Sequence, residues 1–142
     1  MSRKITLLDR AAADIKSARL ILSQNENDEL FTDIAAYHAQ QGIEKLVKFV
    51  LASNGVKYNP THDMAVLHEQ LENAEIESFP WLEENIDVLN SYATKTRYGS
   101  DIVATKKKIV RLLNYAEKTL PKLQPSSAHD DSVKPDCLIK PS

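Results

Sequence analysis

Apolar residues recur along the chain at intervals of three and four, the spacing of one helix face. Leu8, Ala11, Ala12, Ile15, Ala18 and Leu22 predict a first helix over about 5–24, and the polar cluster Asn25-Glu26-Asn27-Asp28 breaks it. Phe31, Ile34, Ala35, His38, Gly42, Leu46, Phe49 and Val50 mark a long second helix over about 29–53, stopped in the left-handed region by Asn54-Gly55. Val56–His62 reads as a loop in which Pro60 holds Asn59 extended. A third helix follows over about 63–73, with Thr61 or Asp63 as N-cap and Met64, Leu67, His68 and Leu71 inward.

Pro80 suits the first turn of a fourth helix, whose inner positions are Leu82, Ile86, Leu89 and Ala93. Thr94–Ser100 contains Gly99 and reads as a loop or a broken turn. The fifth helix, over about 101–120, turns Ile102, Ile109, Leu113, Ala116 and Leu120 inward. No clean alternation supports a strand. The expected fold is therefore all-α: an up-and-down antiparallel bundle of about five helices over residues 1–120. Residues 121–142 carry Pro, Ser and Asp without helical period and are expected to form a disordered C-terminal tail.

Composition narrows the class. The chain has 142 residues, 42% of them hydrophobic and 27% charged, an ordinary globular mix and enough for one domain. Only 3 glycines occur, which argues against glycine-rich phosphate loops and turn-dense sheets. No uninterrupted apolar run is longer than Phe49–Ala52, too short to span a bilayer, and the basic start Met1-Ser2-Arg3-Lys4 lacks the apolar stretch of a leader. A single cysteine, Cys137, leaves no disulfide framework and no cysteine-based zinc site. A cytoplasmic protein with no cofactor and no membrane association is the expectation.

Charge is segregated although the net charge is only −2. Asp63, Glu69, Glu72, Glu75, Glu77, Glu83, Glu84 and Asp87 fall between His62 and Leu89 with no Lys or Arg among them. Lys95, Arg97, Lys106, Lys107, Lys108 and Arg111 follow with one acid, Asp101. Two solvated faces explain this, and so does a basic strip for phosphate, RNA or an acidic partner. Lys106-Lys107-Lys108 wraps around its helix, which weakens the case for a groove.

Three segments carry candidate chemistry. Gly42 sits mid-helix at a cost of about 1 kcal/mol against Ala, which close approach of another helix would explain. Around it, Gln41 and Glu44 are spaced to pair with Lys45 and Lys48 on the surface of an amphipathic core helix. His62 at the third helix's start could act as a base or bind phosphate there, or simply cap or bond locally. His62 and His68 lie on different faces and cannot chelate one metal, so no metal site is expected. In Tyr92–Asp101, Arg97 could hold phosphate and Tyr98 stack on a base, or Arg97 could tie helix ends with Tyr98 packed on the core. No nucleophile–base pair stands out, and Trp81 reads as a core or interface anchor.

Tyr37-His38-Ala39-Gln40-Gln41-Gly42-Ile43-Glu44-Lys45-Leu46-Val47-Lys48, then Thr61-His62-Asp63, then Arg97-Tyr98, resemble in order and spacing a HEPN domain over about residues 5–120. The resemblance implies a five-helix bundle that commonly forms homodimers. It also implies a role in nucleotidyltransferase-linked or toxin–antitoxin-like two-component systems. Many such proteins are metal-independent ribonucleases that pair an Arg with a His four to six intervening residues later. Here Arg97 is followed by Ile102, Val103 and Ala104 at those places, and no His occurs between His68 and His129. The expectation is thus a non-catalytic HEPN protein that binds a nucleotide, RNA or a nucleotidyltransferase encoded nearby. Arg97, Tyr98, Lys95 and His62 would contact the nucleotide or its phosphate. Two alternatives stand beside it. One is a ribonuclease toxin that keeps Arg97 and uses a displaced His, either His62 or His38 of the partner subunit. The other is a structural dimer module around Trp81.

Overall fold

The computed structural model describes residues 4–24, 28–94 and 105–123. These form α1 (Leu7–Gln24), α2 (Glu29–Ser53), α3 (Met64–Asn73), α4 (Ile86–Thr94) and α5 (Lys106–Leu123), with a short 3-10 turn at Glu83–Asn85. The described residues contain no strand, and the helices pack as an up-and-down antiparallel bundle. The expected tail from residue 124 onward, residues 95–100 of the expected loop, and the expected start of the fifth helix at 101–104 with Ile102 lie outside the described residues.

Local chemistry sets the helix ends. Thr6 and Asp9 cap α1 reciprocally: the Thr6 amide donates to Asp9 Oδ2 (2.9 Å) and the Asp9 amide donates to Thr6 Oγ1 (3.1 Å). Asp28 caps α2 by accepting from the Leu30 amide, and Asp63 caps α3 by accepting from the Ala65 amide. Gly55, at φ 78°, ends α2 with the Val56 amide bonded back to the Leu51 carbonyl. Glu75, at φ 60°, ends α3 in the same way, with the Ile76 amide bonded to the Leu71 carbonyl.

α2 is the central helix, against which α1, α3, α4 and α5 all pack. It therefore buries far more than one narrow stripe. Thr32, Asp33, Gln40 and Glu44 join Ala35, Ala36, Ala39, Ile43, Leu46, Val47, Val50 and Leu51 inside. Phe31 and Ile34, inward by their spacing, are instead 40% and 44% exposed. Each fully buried Leu or Ile of the shared core contributes about 1.5–3 kcal/mol. Gly42 marks the tightest contact: a Cβ there would lie 2.7 Å from Ile15 Cγ1 and 3.1 Å from the Ala11 carbonyl oxygen.

Two helix bounds differ from expectation. Pro80 does not open α4. Phe79 and Leu82 are buried, and i→i+3 bonds from Leu82 to Phe79 and from Asn85 to Leu82 carry the chain through turns before α4 begins at Ile86. At the other end α5 runs through Pro121 to Leu123. Leu120 and Leu123 pack on the core there, which offsets the backbone bond that Pro121 cannot donate. Trp81 is an anchor inside the fold. It stacks on Tyr115 (5.3 Å between centroids, 7° between planes), meets Phe79 edge-on, and donates from Nε1 to Thr119 Oγ1 (3.3 Å).

Candidate functional site

The α2 motif builds a continuous polar ladder. Lys45 Nζ donates to Asp14 Oδ2 on α1 (2.7 Å) and to Gln41 Oε1 (3.3 Å), while His38 Nδ1 lies 3.1 Å from Asp14 Oδ1. Gln41 donates to Gln40, and Gln40 donates to Glu44 Oε1, each at 2.8 Å. Lys48 Nζ donates to Glu44 Oε2 at 2.8 Å and stands 5.4 Å from the centre of the Tyr58 ring. The expected pairs Gln41–Lys45 and Glu44–Lys48 thus form, but not on the surface. Glu44 is 3% exposed and Gln40 is fully buried. Glu44 is met there by His62 of the loop before α3, a contact that spacing along α2 alone cannot reveal.

Glu44 is the hub. Burial pushes its carboxyl up, but hydrogen bonds from Lys48, His62 and Gln40 outweigh that and hold it below the ordinary carboxylate range. Asp14 behaves alike: burial raises it, and His38 with Lys45 brings it down. Both stay ionised inside the bundle because each has a cation and further donors.

His62 meets this hub from the loop before α3. Its Nδ1 lies 3.1 Å from both carboxylate oxygens of Glu44. An ionised carboxylate only accepts, so Nδ1 carries the proton and Nε2 is left for a ligand or solvent. The imidazole is 70% exposed while its anchor is buried. A buried carboxylate orienting an exposed imidazole can hold a phosphate through a proton on Nε2, or move a proton.

Beside His62 is a cleft of about 460 Å³ lined by Thr61, Asp63, Asn90, Ser91 and Thr94. Asn90 ties its walls together, accepting from the Met64 amide and donating to Asp63 Oδ1, both at 2.9 Å. The first amides of α3 are thereby taken: Met64 by Asn90, Ala65 by the Asp63 side chain, and Val66 and Leu67 by the Asp63 carbonyl. Any anion here is met by the imidazole, not by the helix terminus. His62 itself neither caps α3 nor bonds locally. Of the expected ligand-binding residues, the structure places His62 at this cleft, whereas Lys95, Arg97 and Tyr98 lie outside the described residues.

The basic segment is better ordered than its sequence suggests. At 3.6 residues per turn, Lys107, Lys108, Arg111, Lys118 and Lys122 fall within about 100° of arc on α5, and all five are exposed. None of their side chains bonds to a described residue. Only Lys106 of the lysine triplet leaves this face. The one acid of α5, Glu117, is held by Arg19 through two guanidinium bonds of 3.0 and 2.7 Å.

Sequence reasoning passed over a second cluster. His68 and Glu72, one turn apart on α3, converge with Glu83 so that their donor atoms all lie within 4.8 Å of one another. The His-x3-Glu spacing was the available signal, since it sets both side chains on one helix face.

No described helix is long and apolar enough to cross a membrane. No curated protein and no solved structure matches the chain. A family model does match, the HEPN domain, over residues 6–124, which takes in every helix described above. The five-helix bundle, the Gln-Gln-x-x-Glu-Lys run on its central helix and this match agree: the chain belongs to the HEPN domain family.

Proposed function

We propose that this HEPN protein binds a phosphate-bearing ligand, a nucleotide or a short RNA, in the cleft beside His62, and that it does so without cleaving it. One observation carries the reading: an exposed imidazole held by the buried Glu44 at the mouth of a cleft. Fixing His62 in advance lowers the entropy cost of gripping a ligand. Lys95, Arg97 and Tyr98 follow Thr94 of the cleft wall within four residues and would supply the phosphate clamp and the stacking ring. The exposed cations of α5 favour anionic ligands generally. The missing His at 102–104 argues against the family's ribonuclease chemistry. A homodimer is the assembly in which such a protein would act, and a nucleotidyltransferase encoded nearby is the partner the family suggests.

Calorimetric titration with ATP, GTP and a short RNA tests this. Heat should appear for at least one of them and fall at least tenfold in affinity in His62→Ala and Arg97→Ala. Absence of heat for all three sinks the proposal.

The Glu44–His62 pair also favours a second reading, a ribonuclease whose acid–base group is the displaced His62. Labelled RNA should then be cut by the wild type and spared by His62→Ala. Cleavage that persists in both His62→Ala and Arg97→Ala would mark a contaminant.

A further inference from the structure

We infer that His68, Glu72 and Glu83 form a binding site for one divalent transition-metal cation, joining α3 to the turn that leads into α4. His68 and Glu72 sit one turn apart on α3, and Glu83 reaches them from the 3-10 turn. The donors come from two elements, so a bound ion would cross-link them. This site is separate from the His62 cleft and does not depend on the reading given to it.

The imidazole sets this group apart from a patch of acids. His68 is only 17% exposed in its side chain, yet it makes no hydrogen bond with a described residue. Its nearest partner, Glu72 Oε1, stands 3.9 Å from Nδ1, too far for a hydrogen bond. Two donors bound to one cation at about 2.0–2.2 Å are themselves about 3–4 Å apart, depending on the angle between the bonds. The observed separation falls in that range. Small side-chain rotations bring the whole set, now within 4.8 Å, onto one ion.

Electrostatics and donor type agree. Glu75 and Glu77 line the same depression of about 1050 Å³, and no Lys or Arg occurs between His62 and Leu89 to compete for the carboxylates. One imidazole nitrogen with two carboxylates suits Zn²⁺, Mn²⁺ or Ni²⁺ better than Mg²⁺, which prefers oxygen donors and retains its water. Three protein donors leave coordination positions for water.

The test is titration of the full chain with Zn²⁺, Mn²⁺ and Mg²⁺ by calorimetry, with thermal melts alongside. Zn²⁺ or Mn²⁺ should bind at one equivalent and raise the melting temperature, and excess chelator should reverse the shift. His68→Ala and Glu83→Gln should each weaken that binding at least tenfold, whereas Glu69→Gln, whose carboxylate is outside the set, should not. Glu83 is exposed, so Glu83→Gln keeps the test valid even if His68→Ala folds poorly. Failure of the wild type to bind either ion overturns the proposal. So does unchanged affinity in Glu83→Gln, which would place the ion elsewhere.

Discussion

Gly42 and Ile15 meet where α1 crosses α2, so closely that a Cβ on residue 42 would stand 2.7 Å from Ile15 Cγ1. The Ala11 carbonyl, 3.1 Å away, closes the other side and belongs to backbone that cannot rotate aside. Gly42→Ala should therefore destabilise the bundle by about 1–3 kcal/mol despite the better helix propensity of Ala. Urea denaturation measures this. A stability gain would mean that the two helices separate more easily than their packing indicates.

The Glu44 and Asp14 carboxyls are both held below their ordinary values of 4.5 and 3.8. The unfolded chain therefore binds more protons than the folded one in the acidic range, and stability rises with pH there. The contribution is complete above about pH 4.5 and is lost as pH falls through the folded-state values. Denaturation midpoints taken from pH 7 down to pH 3 should fall for the wild type. The fall should be shallower in Glu44→Gln, which has one less depressed carboxyl to protonate. Lys48→Met should cost about 3 kcal/mol at pH 7, because it strips the hub of its cation while leaving the charge buried.

How far the fold could be read ahead depended on whether local chemistry or tertiary packing decided each feature. α2 begins and ends where expected because both ends are set locally, by the Asp28 side chain accepting from the first amides and by the left-handed backbone of Gly55. Gly42 pointed correctly to a helix contact because no local reason could justify it. Pro80 misled, since its fitness for a helix start was overruled by burial of Phe79 and Leu82. Glu44 reads as a surface residue from its spacing because nothing in a one-dimensional pattern shows that Lys48, His62 and Gln40 converge on one carboxylate. His62 was legible as a candidate, but its anchor is 18 residues away and on another element.

Trp81 lies flat on Tyr115 and bonds to Thr119, so its main role is to hold the pre-α4 turn on α5. Trp81→Ala should cost about 2–4 kcal/mol, as loss of a large packed aromatic does. Trp81→Phe should cost about 1 kcal/mol, keeping the stack and losing the bond from Nε1. Thermal melts separate the two. If Trp81→Ala instead left the melting temperature unchanged while splitting a dimer, the residue would be an interface anchor.

Stability and ligand binding should part company at His62. Its ring is 70% exposed and water can replace its bond to Glu44, so His62→Ala should cost only about 1 kcal/mol of folding free energy. Glu44 is 3% exposed and bonds three partners, so Glu44→Ala should cost about 3 kcal/mol or more. For ligand affinity the order changes. Both substitutions should weaken nucleotide or RNA binding, His62→Ala by removing the contact and Glu44→Ala by releasing the ring that makes it. Glu44→Gln is the discriminating variant. Its amide can still lie against Nδ1, yet it no longer requires a proton there, so the imidazole loses its fixed tautomer. Binding to Glu44→Gln should fall between wild type and His62→Ala, while its circular dichroism stays helical. Wild-type affinity in Glu44→Gln would show that His62 works without its buried anchor.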